Sequence, residues 1–209
     1  MKLALIGIFH RRLDTMAELA TCLKAQTRAA DELWLMGDET CYEHLLNYEW
    51  GPPSSFVLPF SIKVMPHRLP WSFKVNVALR LTRCDVISYF EDDCFPDPTK
   101  YELMMRAIEE DGRKAVYCTE RRAGIFSDPL IADRETDGGT GVGMSQVAHL
   151  RTEPLILWPE EMGHIHSVEG PFLPAVCAQL HTTLFPIPAA AHVHRVTTYG
   201  VAATRKVWD

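Results

Sequence analysis

The sequence is short of several things, and each shortage excludes a class. Six cysteines are present (Cys22, Cys41, Cys84, Cys94, Cys118 and Cys177), but none stands in a Cys-x-x-Cys pair. Neither a paired-thiolate zinc site nor a disulfide framework is indicated, and the cysteines read as reduced thiols. No apolar run approaches the length that crosses a bilayer, and Leu3 to Phe9 is too short even for a secretory core segment. The expectation is a cytoplasmic protein with no membrane span. There is no basic excess: 21 Lys and Arg stand against 27 Asp and Glu, for a net charge of -6. That excludes a broad nucleic-acid footprint. It leaves one local patch, Arg113, Lys114, Arg121, Arg122 and Arg134, which reads most simply as a solvated charged face. Internal repeats and low-complexity segments are absent. The glycines of the segment from Asp137 to Gly143 lack the helix-opening context of a phosphate cradle, so this is a plain loop.

What remains is an ordinary globular chain of 209 residues, 47% hydrophobic and 23% charged, large enough for a sizeable core and read as one domain. Leu3 to Phe9 is a continuous apolar run, the pattern of a strand buried on both faces of a parallel sheet. From Asp14 to about Ala29, Met16, Leu19, Ala20, Leu23 and Thr27 recur at helical spacing. Glu32 to Met36 then reads as a second strand, completing a βαβ unit. A short helix over Tyr42 to Trp50 and a short strand over Ile62 to Met65 are weaker expectations. Trp71 to Arg83 carries Phe73, Val77, Ala78 and Leu81 on one helical face, and Val86 to Phe90 is a buried strand. Tyr101 to Asp111, closed by Gly112, is a helix, and Ala115 to Thr119 a strand. Beyond them, short strands are expected at Val147 to Leu150 and Leu155 to Trp158. A helix is expected over Phe172 to Leu180, and an edge strand from Thr183 to Ile187 broken by Pro186 and Pro188. This alternation predicts an α/β fold, a Rossmann-like domain with a mostly parallel central sheet flanked by helices. Residues 1–98 read as a nucleotide-binding half and residues 99–209 as the second half of the same domain.

The chain is organised around Glu91-Asp92-Asp93, which follows the strand Val86 to Phe90 at once. Pro96 and Pro98 cannot donate to a sheet ladder, so the chain should leave the sheet there with its acids on the loop at the strand's carboxyl end. Open α/β sheets bind ligands at that end. Adjacent carboxylates repel one another unless a cation compensates them, and an oxygen-rich set suits Mg²⁺ or Mn²⁺. Near the C-terminus His192 and His194, two residues apart on an extended segment, fall on one face and form a possible metal or phosphate contact.

Taken in order, these residues resemble the GT-A glycosyltransferases, most closely family 2, over roughly residues 3 to 98 and more weakly to about 195. The turn Phe9-His10-Arg11-Arg12, the phrase Leu23-Lys24-Ala25-Gln26-Thr27, the strand end Gly37-Asp38-Glu39-Thr40 and the approach Asn76 to Asp85 stand where that family has its nucleotide-binding motifs. Glu91-Asp92-Asp93 falls on its Asp-x-Asp motif, with Glu91 in place of the usual Asp. The resemblance implies metal ligation by Glu91 and Asp93, with His192 or His194 as a late ligand. It implies donor binding by Phe9, His10, Arg12, Asp38, Asn76 and Asp92, and a general base at Glu169, where Gly170 replaces a second acid.

The implied activity is transfer of a sugar from a nucleotide-diphosphate sugar, UDP-linked, to an acceptor hydroxyl with inversion, supported by Mn²⁺ or Mg²⁺. The ion would stabilise the departing diphosphate and the carboxylate would take the acceptor's proton. Two alternatives stand beside it: a degenerate GT-A domain that binds nucleotide or carbohydrate without turnover, and a nucleotidyltransferase. The latter usually carries a Gly-rich loop after its first strand, which Phe9-His10-Arg11-Arg12 lacks. The acceptor is left open among a saccharide, a protein side chain and a hydroxylated nucleic-acid base.

Overall fold

Strand β1 (Leu3–Ile8) is buried along its whole length, as its unbroken apolar run requires. It pairs in parallel with β2 (Glu32–Met36) on one side and β3 (Val86–Glu91) on the other, with Ile8 opposite Glu91. In the computed structural model the described residues are 1–9, 13–37, 41, 45, 48, 50, 71–124, 132–137, 142–159 and 169–196. The expected helix over Tyr42 to Trp50 falls largely outside them, and the expected strand over Ile62 to Met65 falls wholly outside them.

The chain continues through α1 (Met16–Lys24), α2 (Trp71–Leu81), β4 (Cys94–Pro96), α3 (Lys100–Glu109), β5 (Ala115–Gly124), β6 (Val147–Leu150), α4 (Glu169–Leu180) and β7 (Phe185–Val196). Seven strands form one sheet in the order β2-β1-β3-β6-β5-β7-β4. Helices cover both faces because the strands alternate. Leu3, Leu5, Val86 and Phe90 join α1 and α3 in one core, with Met16, Leu19, Tyr101 and Met104. Ala4, Ile6, Ile87 and Tyr89 join α2 and α4 in the other, with Val75, Leu79, Phe172 and Val176.

The first three strands are parallel as expected, but the sheet as a whole is mixed. β3–β6, β5–β6 and β4–β7 are antiparallel, and β5–β7 is parallel. Pro96 does not end the sheet: after a two-residue turn the chain re-enters it as β4, a three-residue edge strand where a proline is tolerated. Only Asp92 and Asp93 separate β3 from β4, yet three other strands lie between those two in hydrogen-bonding order. The sheet must therefore curl round to meet itself at the carboxyl end of β3.

β7 is longer than its sequence suggests, and it lies inside the sheet, between β5 and β4. Ile187 pairs with Cys118 and Ala191 with Thr119, so residues 188–190 bulge out of the ladder. The bulge accommodates Pro188 and lets the strand resume beyond it. Leu155 to Trp158 is not a strand: the segment has no regular secondary structure and lies outside the sheet. Among the described residues, no helix is long and apolar enough to cross a membrane, and the six cysteines are free thiols.

Candidate active site at the curled end of the sheet

The acidic turn is fixed from two sides. The Asp92 amide donates to the Ile8 carbonyl at 3.1 Å, extending the β1–β3 pairing by one residue, and the Thr15 hydroxyl donates to the Asp92 carbonyl at 2.6 Å. From the far side of the curl, the Arg195 amide donates to the Asp93 carbonyl at 2.9 Å. Asp92 and Asp93 are each only 5% exposed. Buried carboxylates are costly unless hydrogen-bonded, so this backbone scaffold positions groups that the protein would otherwise expel to water.

Opposite the turn stands β7. His194 is directly across from Cys94 in the β4–β7 pair, and its Nε2 lies 3.1 Å from Asp93 Oδ2. Its Nδ1 lies 3.5 Å from Glu120 Oε1. His192 shares that face, as the two-residue spacing requires, but it is fully buried. Its Nδ1 is 3.4 Å from Cys118 Sγ, and its Nε2 is 3.6 Å from Glu120 Oε2, just past hydrogen-bonding range. The structure thus brings His194 to the acids and holds His192 behind Glu120. Burial, reinforced by the Lys100 ammonium, pushes the His192 imidazole down to about 4, so it is neutral at physiological pH.

Three further residues of this end escaped the sequence reading. Glu120, 5% exposed, accepts a 2.7 Å hydrogen bond from Arg122 Nε and faces both histidines. Burial pushes its carboxyl up, but the His192 and His194 rings that face it and the hydrogen bond from Arg122 outweigh that and hold it well below the usual carboxylate range. Ser145 donates its hydroxyl to Glu91 Oε2 at 2.8 Å, and its carbonyl accepts from the buried Lys100 ammonium at 2.5 Å. Cys94 directs its thiol toward Asp93 Oδ1 at 3.6 Å and Glu91 Oε2 at 3.9 Å. Burial keeps that thiol protonated, its pKa well above the ordinary value, and the Glu91 charge adds to the effect.

The remaining predicted residues divide. Phe9 lies in the core, 1% exposed, its ring edge-on to Trp50 at 5.2 Å and to Phe90 at 6.0 Å. Asn76 is fully buried and clamps the Leu155 to Trp158 segment, donating to the Trp158 carbonyl at 2.8 Å and accepting from its amide at 2.7 Å. An apolar setting accounts for the first placement, and the need to satisfy a backbone pair away from water accounts for the second. Neither residue presents an open surface to a ligand. Glu169 is the first residue of α4, which begins three residues before the helix expected from Phe172. His10, Arg12 and Asp38 lie outside the described residues. The local basic patch is largely spent on internal contacts. Arg121 pairs with Asp97, Arg122 with Glu120, Lys114 with the Leu180 carbonyl, and Arg113 stacks on Phe185.

Carboxylate oxygen, imidazole nitrogen and thiol sulfur from Asp93, His194 and Cys94 have ligand atoms within 4.8 Å of one another. The donor set therefore fits a divalent ion, with Asp93 and His194 its hard and borderline members.

No protein-family model matches the chain, and no curated protein sequence matches it. Solved structures do match in shape. S. aureus TarS 1-349 in complex with UDP superposes with a TM-score of 0.68 at 13% identity, over 94% of this chain and 61% of that one. The same protein in complex with UDP-GlcNAc gives 0.69 at 12% identity, over 94% and 59%. The chain spans about 60% of the length of these TarS structures. At such identities the likeness is one of fold, and the mixed α/β sheet curled at the carboxyl end of β3 matches a GT-A, Rossmann-like fold.

Proposed function

We propose that the chain is a glycosyltransferase that takes a sugar from a nucleotide-diphosphate sugar, UDP-linked, and passes it to an acceptor hydroxyl. One observation carries this reading: the buried Asp92-Asp93 turn at the carboxyl end of β3 is met across the curled sheet by His194. The fold adds support, because TarS holds UDP and UDP-GlcNAc in structures of the same fold. A site where parallel strands end is also where α/β sheets take nucleotides.

Asp93 and His194, with Glu91 beside them, would hold a divalent ion, and such an ion supplies charge neutralisation at a leaving diphosphate. The chain's own groups supply the rest. The backbone scaffold around Asp92 and Asp93 fixes the carboxylates before any ligand arrives, so little reorganisation opposes binding. Ser145 orients Glu91 through its 2.8 Å hydrogen bond. Glu169, at the start of α4, is our candidate to take the acceptor hydroxyl's proton, which makes the transfer inverting.

The test is a thermal-shift panel of UDP, GDP, CDP, ADP and their sugar conjugates, with and without Mn²⁺, since a ligand that binds only the folded state raises its melting temperature. The expected result is a metal-dependent shift with UDP or its conjugates that disappears in Asp93→Ala. Loss of transfer but not of the shift is expected in Glu169→Gln. An undiminished shift in Asp93→Ala would remove the metal assignment, and no shift with any nucleotide would favour a domain that has lost donor binding.

A further inference from the structure

The atoms that meet at the acidic turn differ in kind from the oxygen-rich set that the run Glu91-Asp92-Asp93 suggests. Glu91 Oε2 is already engaged by the Ser145 hydroxyl. Cys94 and His194 face each other across the β4–β7 pair, so both side chains project from the same side of the sheet. Asp93 precedes Cys94 and reaches both: Oδ2 to His194 Nε2 at 3.1 Å and Oδ1 to Cys94 Sγ at 3.6 Å.

We infer that Cys94 is a third metal donor, and that Asp93, Cys94 and His194 together select a thiophilic divalent ion, Zn²⁺ above all, over Mg²⁺ or Mn²⁺. The inference deepens the proposed function, since it rests on the turn being a metal site. Spacing supports it. A tetrahedral zinc with sulfur at ~2.3 Å and nitrogen or oxygen at ~2.0 Å holds its donors roughly 3.3–3.5 Å apart. His194 and Cys94 stand 3.1 and 3.6 Å from the two oxygens of Asp93, and one ligand atom from each residue lies within 4.8 Å of the others, so small side-chain rotations reach that spacing.

The present contacts support it as well. Cys94 directs its S–H, and His194 its ring nitrogen, at the same carboxylate. Sulfur and nitrogen thus converge on one carboxylate, the arrangement that a shared cation requires. On binding, the Cys94 S–H bond breaks, a metal–sulfur bond forms, and the proton passes to solvent. Zn²⁺ follows from the donors: thiolate and imidazole favour it, whereas Mg²⁺ requires oxygen. Three protein donors leave a fourth position for a ligand oxygen.

Cobalt(II) is a spectroscopic probe for such a site. Titrating the wild-type protein with Co²⁺ should produce an intense near-ultraviolet thiolate-to-cobalt band together with weak visible bands. Cys94→Ser should lose the near-ultraviolet band, and its affinity for Zn²⁺, read by competition with a chelating dye, should fall about 100-fold or more, since even outer-shell losses cost 10- to 100-fold. A thiolate band that survives in Cys94→Ser, or visible bands without any thiolate band in the wild type, would overturn the third donor. In either case a UDP shift that still requires Mn²⁺ would leave the proposed function standing. No Co²⁺ or Zn²⁺ binding by the folded protein would end the inference, and no UDP shift with either Mn²⁺ or Zn²⁺ would end the broader reading separately. Far-ultraviolet circular dichroism of Cys94→Ser confirms that the comparison is made on folded protein.

Discussion

The two ends of the sheet are built on opposite terms. At the β2–β1–β3 end the strands are parallel, apolar and regular, and Leu3, Ala4, Leu5 and Ile6 are all 3% exposed or less. At the β5–β7–β4 end a strand bulges, and Lys100, Glu120, Asp93 and His192 are buried together. The first end gains stability from burial at about 25 cal/mol per Å² of apolar surface. The second must recover the desolvation of several charges through hydrogen bonds, which at best roughly offsets it. The lesson is a division of labour: a regular apolar platform carries the acidic turn, and a bulged polar end supplies the groups that face it.

If that is right, the largest loss should come from removing one member of the polar end. Glu120 is the natural choice, because Arg122, His192 and His194 all face its carboxylate. Glu120→Ala takes away, at a 5%-exposed position, the carboxylate that Arg122 bonds to and that both histidine rings face, and should cost about 3–5 kcal/mol, read as a lower midpoint in urea. Glu120→Gln keeps the shape and much of the hydrogen bonding, so it should cost less. The wild-type carboxyl sits well below its usual range, so the stability it contributes is present above the ordinary glutamate value and fades as pH falls through the depressed one. Equal costs for the two variants, or a cost below 1 kcal/mol for alanine, would contradict the contrast between the ends.

The same contrast explains what was legible in the sequence. Each element of the apolar end has one period and one role, so β1, α1, β2, α2 and β3 can be read from spacing alone, and the acids are found because they interrupt a buried run. The polar end resists such reading. Pro186 and Pro188 signal the end of a strand, but a bulge carries β7 past them. Glu120 sits before Arg121 and Arg122 and passes for a solvated charge. Its one signal is alternation, since Cys118, Glu120 and Arg122 share a face. Cys94 lacks a cysteine partner nearby, and Asp93 and His194 meet across 101 positions of sequence. Contacts of that range come from the curl of the sheet, which no local pattern encodes. Leu155 to Trp158 has strand composition, but its Trp158 backbone bonds to the Asn76 side chain instead of to a neighbouring strand.

Strand β6 joins the two ends, and its His149 offers a second test through pH. The ring is fully enclosed: Nδ1 lies 2.8 Å from the Leu150 carbonyl, and Nε2 lies 2.9 Å from the Tyr89 hydroxyl. With Nδ1 donating, Nε2 accepts from the tyrosine, which assigns the neutral tautomer. Burial pushes its pKa down to about 4 from the ordinary 6.5. The unfolded chain gains a proton below about 6.5 while the folded ring does not until about 4. Stability should therefore be full above 6.5, fall as pH drops toward 4, and level off below. For this residue the fall should be about 3 kcal/mol. His149→Gln should be weaker at neutral pH but lose about that much less on acidification, leaving a residual slope from His192. Parallel curves for the two proteins would show that His149 does not carry the dependence.

The smallest effect should come from the apolar end, and it probes packing instead of charge. Gly7 stands opposite Phe90 in the β1–β3 ladder, and the phenyl ring lies over its Cα. A Cβ at Gly7 would fall 2.2 Å from Phe90 Cζ, far inside contact distance. Phe90 cannot simply swing away, because it is fully buried and packs against Phe9. Gly7→Ala should therefore cost about 1–3 kcal/mol through overpacking, despite the better strand propensity of alanine. The ring can be shortened independently. Phe90→Leu makes room above Gly7, and in that background Gly7→Ala should become close to neutral. A double-mutant cycle by urea denaturation reads this as a coupling of about 1 kcal/mol or more. A coupling near zero would mean that the strands separate to admit the methyl group, and the platform beneath the acidic turn would then be softer than its packing implies.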